Sequence, residues 1–178
     1  MSYTQQVERL IHMVEHLSGF VVLAADATGV GRGVVDILHE AIYELADDDT
    51  RGSQIDTIQP AYITITGGSA VTKSPMGLLN VPKRELVTTP LILFQDRRLH
   101  ISEALEYQDL LQKELLNFKV KINIATGHDS YEAWREGEHD DLVLALSLAC
   151  WVGNRYLEEE KRAAVPGIVV ADAPVFAL

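Results

Sequence analysis

The stretch Phe20-Val-Val-Leu-Ala-Ala-Asp26 limits the fold more than any other: six apolar residues in a row, closed by a carboxylate and then by the turn Thr28-Gly-Val-Gly-Arg-Gly33. A strand with one face in water alternates apolar and polar side chains. A near-continuous apolar run marks a strand buried on both faces, as in a parallel sheet layered between helices. Apolar residues at Val7, Leu10, Ile11, Val14 and Leu17 repeat at helical spacing, so a helix precedes this strand and ends at Ser18-Gly19. Val35, Leu38, Ile42 and Leu45 mark a second helix over 34–45. Ala61-Tyr-Ile-Thr-Ile-Thr66, rich in β-formers and followed by Gly67-Gly68, is a second strand. Strand, helix, strand is the right-handed βαβ unit, and the fold class is α/β.

Residues 70–81 read as a loop, and Pro82 opens a helix that Pro90 kinks or ends. Leu99 to Ser102 is a short strand or turn, and 105–116 is helical. Phe118-Lys-Val-Lys-Ile-Asn-Ile124 alternates like a half-exposed strand, with Tyr131-Glu-Ala-Trp-Arg135 as its hairpin partner across Thr126-Gly127. Asp140-Asp141 leads the apolar helix that begins at Leu142 and runs to about Tyr156. The expected organisation is one domain over 1–157, then a charged linker and an apolar tail over 158–178.

No run of about 18 apolar residues occurs, so no membrane-spanning segment is expected. The start, Met1-Ser-Tyr-Thr-Gln-Gln-Val-Glu-Arg9, lacks the basic-then-apolar pattern of a secretory signal, which points to the cytoplasm. The formal net charge of −11 means that the chain as a whole repels a polyanion. Contact with nucleic acid must therefore come from bound cations or from small basic patches, Lys83-Arg84, Arg97-Arg98 or Lys119 with Lys121. The single cysteine, Cys150, falls on the apolar face of a helix and reads as a core residue.

Two acidic features carry chemistry. Asp26 ends a parallel strand, the edge where open α/β sheets bind ligands. The turn that follows has its glycines at 29, 31 and 33, outside the G-x-G-x-x-G spacing of a dinucleotide turn, and no Lys-Ser/Thr follows to make a P-loop. Asp140 and Asp141 head a helix, where one Asp is expected as the N-cap and a second reads either as a solvated first-turn residue or as one of a pair of oxygen ligands for a hard cation.

Four segments taken together resemble the C-terminal nuclease domain of phage terminase large subunits: Leu23-Ala-Ala-Asp26-Ala-Thr-Gly-Val-Gly-Arg-Gly-Val-Val-Asp-Ile-Leu38, Ile63-Thr-Ile-Thr-Gly-Gly68, Val81-Pro-Lys-Arg-Glu-Leu-Val87 and His139-Asp-Asp-Leu-Val-Leu-Ala-Leu-Ser-Leu-Ala149. Their order and rough spacing match over about Val7 to Tyr156. The resemblance implies a partial RNase H-like fold: helix, strand, helix, strand, an insertion with a β-hairpin, and a C-terminal helix. It also implies Mg²⁺ or Mn²⁺ as cofactor and double-stranded DNA as partner, during packaging of a phage or prophage genome in the bacterial host. In such a site two metals about 3.5–4 Å apart activate water and stabilise the leaving oxygen. On this resemblance Asp26 and Asp140 are direct ligands, Asp141 is a third ligand or a base, His139 caps the helix or orients a carboxylate, and Lys83 and Arg84 fall on a matching segment.

The sequence departs from the family pattern at its start. The family's nuclease domain opens with three antiparallel strands, the first carrying another essential Asp, and this chain begins at the helix after them. No Walker motif occurs in it. The acidic cluster is then incomplete and expected to hold metal weakly. The Phe20–Ala25 strand lacks a neighbour, and Gly167-Ile-Val-Val-Ala171 or a second copy is expected to cover it. An upstream ATPase segment or a homodimer partner would complete the assembly. Two other readings stand beside this one: a non-catalytic packaging or interaction module that keeps the fold, and a nucleotide-binding α/β protein using Thr28 to Gly33.

Overall fold

The computed structural model describes residues 2–17, 19–29, 31–47, 55–75, 78–124 and 140–163. Helix α1, Tyr3–Val14, starts at a capping box in which Gln5 N donates to Ser2 Oγ at 3.2 Å and Ser2 N donates to Gln5 Oε1 at 2.9 Å. Its inward stripe is Val7, Ile11 and Val14. Strand β1, Gly19–Asp26, leads to helix α2, Gly31–Asp47, and then to strand β2, Ile55–Thr66. Two short strands follow, β3 at Thr72–Lys73 and β4 at Leu79–Pro82, and then three helices: α3, Lys83–Gln95, α4, Gln108–Ile124, and α5, Asp141–Ala163.

The four strands form one open sheet in the order β1-β2-β4-β3. β1 and β2 pair in parallel with Asp26 opposite Ile63, β2 and β4 pair in parallel with Thr66 opposite Pro82, and β3 runs antiparallel to β4. The βαβ unit and the α/β class expected from the sequence are therefore present. Side chains alternate across β1: Leu23 and Ala25 pack with Val7, Ile11, Leu38 and Ile42 of α1 and α2, while Val22 and Ala24 pack with Leu148, Trp151 and Val152 of α5. Helices thus cover both faces, which is why β1 needs no polar alternation.

Several expectations change. Residues 118–124 are not a strand but the end of α4. Extending an existing helix avoids the cost of a new nucleus, and Phe118 with Ile122 and Val120 with Ile124 are also spaced i, i+4 in sequence. The hairpin partner over 131–135 lies outside the described residues, as does the tail segment 167–171. Leu99 to Ser102 forms no strand, α4 begins at Gln108 rather than 105, and the 70–81 loop contains β3 and β4. Pro90 neither ends nor precedes the end of α3 by less than a turn; the helix runs on to Gln95, with Leu86, Val87 and Leu93 buried on either side of it. Helix α5 continues past Tyr156 to Ala163.

Candidate functional site

Asp26 is exposed at the C-terminal end of β1. The backbone beyond it is fixed by short bonds: Ala27 N donates to Ile63 O at 2.7 Å, Thr28 N donates to Asp26 Oδ1 at 2.8 Å, and Ile65 N donates to Thr28 Oγ1 at 2.8 Å. This Asx turn holds one carboxylate oxygen in place, and Oδ2 has no hydrogen-bond partner among the described residues. Gly29 takes φ +60°, and Gly31 lets α2 start hard against the strand: a Cβ there would sit 2.5 Å from Asp26 O. With Gly31 N donating to Thr28 O at 3.1 Å as well, the amides of residues 27, 28 and 31 are all engaged.

The second acidic position lies at the same edge of the sheet. Lys83 immediately follows Pro82, the last residue of β4, and its Nζ lies 3.5 Å from Asp140 Oδ2; both side chains are half-buried. From Asp140, α5 runs back across the sheet, so that Tyr156 packs edge-on to Phe20 at the start of β1, ring centres 6.1 Å apart. Asp140 and Asp26 thus share the C-terminal edge of the parallel strands. β2 lies between β1 and β4, which sets those two strands about 10 Å apart. Asp141 is the exposed first residue of α5. His139 lies outside the described residues.

Asp140 does not cap α5 with its side chain in the way expected. The amides of Leu142 and Val143, which an N-cap Asp would take, both donate to Glu114 Oε2 of α4, at 3.0 and 3.1 Å. Glu114 is only 7% exposed. A buried carboxylate at the positive end of a helix is well placed, because two N–H groups and the helix dipole compensate its desolvation. It leaves the Asp140 carboxylate to face Lys83. Nothing in the local sequence marks Glu114, apart from its position three residues after the buried Leu111.

The supporting contacts join α3 to α5. Trp151 Nε1 donates to Glu85 Oε1 at 2.9 Å, and the Arg155 guanidinium lies 5.5 Å from the Trp151 ring centre. Val87, Leu111 and Val143 form a small core beneath the start of α5. Cys150 is buried, and burial pushes its thiol up to about 11. That is the behaviour of a packing residue, not of a nucleophile. On the opposite face of the sheet, burial and then the Asp36 carboxylate raise the Tyr62 phenol, whose oxygen lies 3.4 Å from His39 Nδ1.

Among the described residues no group of three or more His, Cys, Asp or Glu side chains is gathered so as to hold a metal ion. The described carboxylates alone therefore do not make a complete cation site, and Asp140 already faces an ammonium group. No helix among the described residues is long and apolar enough to cross a membrane. No family model, curated protein or solved structure matches the chain.

Proposed function

We propose that this chain carries part of an RNase H-like nuclease domain of the terminase large-subunit type, from a lineage of divalent-metal-dependent endonucleases that cut double-stranded DNA. Asp26 and Asp140 are its ligand carboxylates, with Asp141 as a third ligand or a base, and Mg²⁺ or Mn²⁺ as the cation. The observation that carries this reading is the capping of α5 by Glu114. With Leu142 N and Val143 N bonded to Glu114 Oε2, the Asp140 side chain is not needed as the acceptor for these two amides. Asp26 supports the reading in a similar way, since its Asx turn fixes Oδ1 and leaves Oδ2 at the edge where α/β sheets bind ligands. A cation bound there would supply Lewis acidity toward a phosphodiester. The chain's own residues hold and orient: Thr28 N–H fixes the Asp26 carboxylate, and Lys83 holds Asp140.

A specific observation favours a second reading, a non-catalytic packaging or interaction module that keeps the fold. The Lys83 ammonium stands beside Asp140, where a catalytic site would want a metal. Supercoiled plasmid incubated with the protein and Mn²⁺ separates the two. The nuclease reading expects nicked circles with the wild-type chain and background levels with Asp26→Asn, a change that keeps the acceptor for Thr28 N–H. Nicking no higher than that of Asp26→Asn would leave the non-catalytic module.

A further inference from the structure

Small residues leave a space where α5 passes β1. Ala24 on the strand side and Ala149 and Gly153 on the helix side line a cavity of about 300 Å³, with Leu93 of α3 and Leu99 also in its wall. An apolar cavity of about 150 Å³ holds a benzene ring, so this one has room for a ring with a short chain, about a dozen non-hydrogen atoms. It lies apart from the acidic edge, since Ala149 is about 13 Å further along α5 than Asp140. Arg98 and Asn154 break its otherwise apolar wall. Asn154 Oδ1 is buried with no donor among the described residues. Arg98 is fixed by the end of α3, where Arg97 N donates to Phe94 O at 3.1 Å and Arg98 N donates to Leu93 O at 2.8 Å. Arg97 takes φ +58°, the left-handed position of a Schellman closure that glycine ordinarily fills. The next residue in that motif commonly lays an apolar side chain back on the helix, and here it is Arg98, in the wall beside Leu93. Arg98 is exposed, which places it at the mouth, and its guanidinium has no hydrogen-bond or ion-pair partner among the described residues.

We propose that this cavity binds a small aryl carboxylate whose ring carries a hydroxyl at the end away from the acid. The ring fills the apolar space, the carboxylate accepts from the Arg98 guanidinium at the mouth, and the hydroxyl donates to Asn154 Oδ1. Each part follows from what the wall lacks. A buried acceptor without a donor is costly, so the ligand that satisfies it brings an O–H or N–H, which a plain hydrocarbon does not. A guanidinium presents a planar fork of donors that matches the two oxygens of a carboxylate. Arg98 is the one cation in the wall among the described residues, on a chain of net charge −11, so the second charge of a phosphate would go unpaired. The spacing fits as well. Leu99 packs with Cys150, which sets Arg98 near that level of α5, and Asn154 follows one turn later, about 6 Å along the axis. The two polar groups are therefore separated along the cavity, as the substituents at opposite ends of a ring are.

The site stands independently of the nuclease reading, because it uses neither Asp26 nor Asp140. The test is calorimetric titration of the full chain with three probes: para-hydroxyphenylpropionate, phenylpropionate, which lacks the hydroxyl, and para-propylphenol, which lacks the charge. Expected is one saturable event for the hydroxy acid, with each of the other two bound about tenfold or more weakly. Equal affinity for all three overturns the assignment of Arg98 and Asn154. No saturable binding means that the cavity holds water alone and overturns the proposal outright. This comparison uses the unmodified chain and so does not depend on any variant folding. Three variants, each checked for an unchanged melting temperature, then locate the contacts. Arg98→Gln weakens the hydroxy acid about tenfold and leaves para-propylphenol unchanged, whereas Asn154→Leu weakens the hydroxy acid and leaves phenylpropionate unchanged. Ala149→Leu fills the space and abolishes binding of all three. A hydroxy acid that binds Arg98→Gln as tightly as the wild type, or that still binds Ala149→Leu, lies elsewhere and contradicts the proposal.

Discussion

Glu114 lets the Asp140 side chain be something other than a cap. A single buried oxygen takes the N–H groups of Leu142 and Val143, tying α4 to α5 at the end where the acidic positions lie. Glu114→Ala leaves both amides without that partner and is expected to destabilise the fold by about 2 kcal/mol, measured by urea unfolding. Glu114→Gln, which keeps an acceptor, is expected to cost about half of that, and equal losses for the two would mean that packing rather than capping matters there. Asp26 and the Asp140-Asp141 pair were legible in the sequence, because a carboxylate after an apolar strand and two before an apolar helix are visible as local patterns. Glu114 was not, since its partners lie 28 and 29 residues away. Lys83 was legible only as a basic residue; its pairing with Asp140 depends on how β4 delivers it to the start of α5.

At the scale of elements, the junction of β1 with α2 and the face of α5 make separate demands. Gly31 brings the first turn of α2 onto the carbonyl of Asp26, and Gly31→Ala forces that turn away from the strand. A loss of about 1–3 kcal/mol in thermal unfolding is expected, and an unchanged melting temperature would mean that the turn relaxes freely. Cys150, 3% exposed on α5, has its thiol raised by burial from 9.0 to about 11. The unfolded chain therefore loses this proton first as pH rises, so the contribution is full below about pH 9 and falls between about 9 and 11, by up to about 1.4 kcal/mol per pH unit. Unfolding curves over that range should show a slope that Cys150→Ala reduces, the remainder including the Tyr62 and Tyr156 phenols, which are also raised. Helices α1 and α2 were readable from periodicity, and β1, β2 and α5 from apolar or β-forming runs with their flanking residues. β4 was not, because Leu79-Asn-Val-Pro82 is too short to show a period and is recruited by pairing with β2. The end of α4 was misread because residues 118–124 satisfy a strand period locally, while the helix entering from Gln108 decides the outcome.

At the scale of the whole molecule, the parallel strands deliver their C-terminal ends to one edge, and the acidic groups are there: Asp26 after β1, and Asp140 beside the residue that follows β4. The α/β class and the layering of helices on both faces followed from the sequence because β1 lacks any polar alternation. With a net charge of −11, any approach to DNA has to be mediated by cations at this edge or by local basic groups such as Lys83 and Arg84. The account therefore stands on whether Asp26 and Asp140 belong to one cation site. Calorimetric titration of Mn²⁺ into the full chain tests this most directly. The account predicts one saturable event for the wild type, weakened by about tenfold or more in both Asp26→Asn and Asp140→Asn. A titration with no saturable binding, or one that either substitution leaves unchanged, would contradict it.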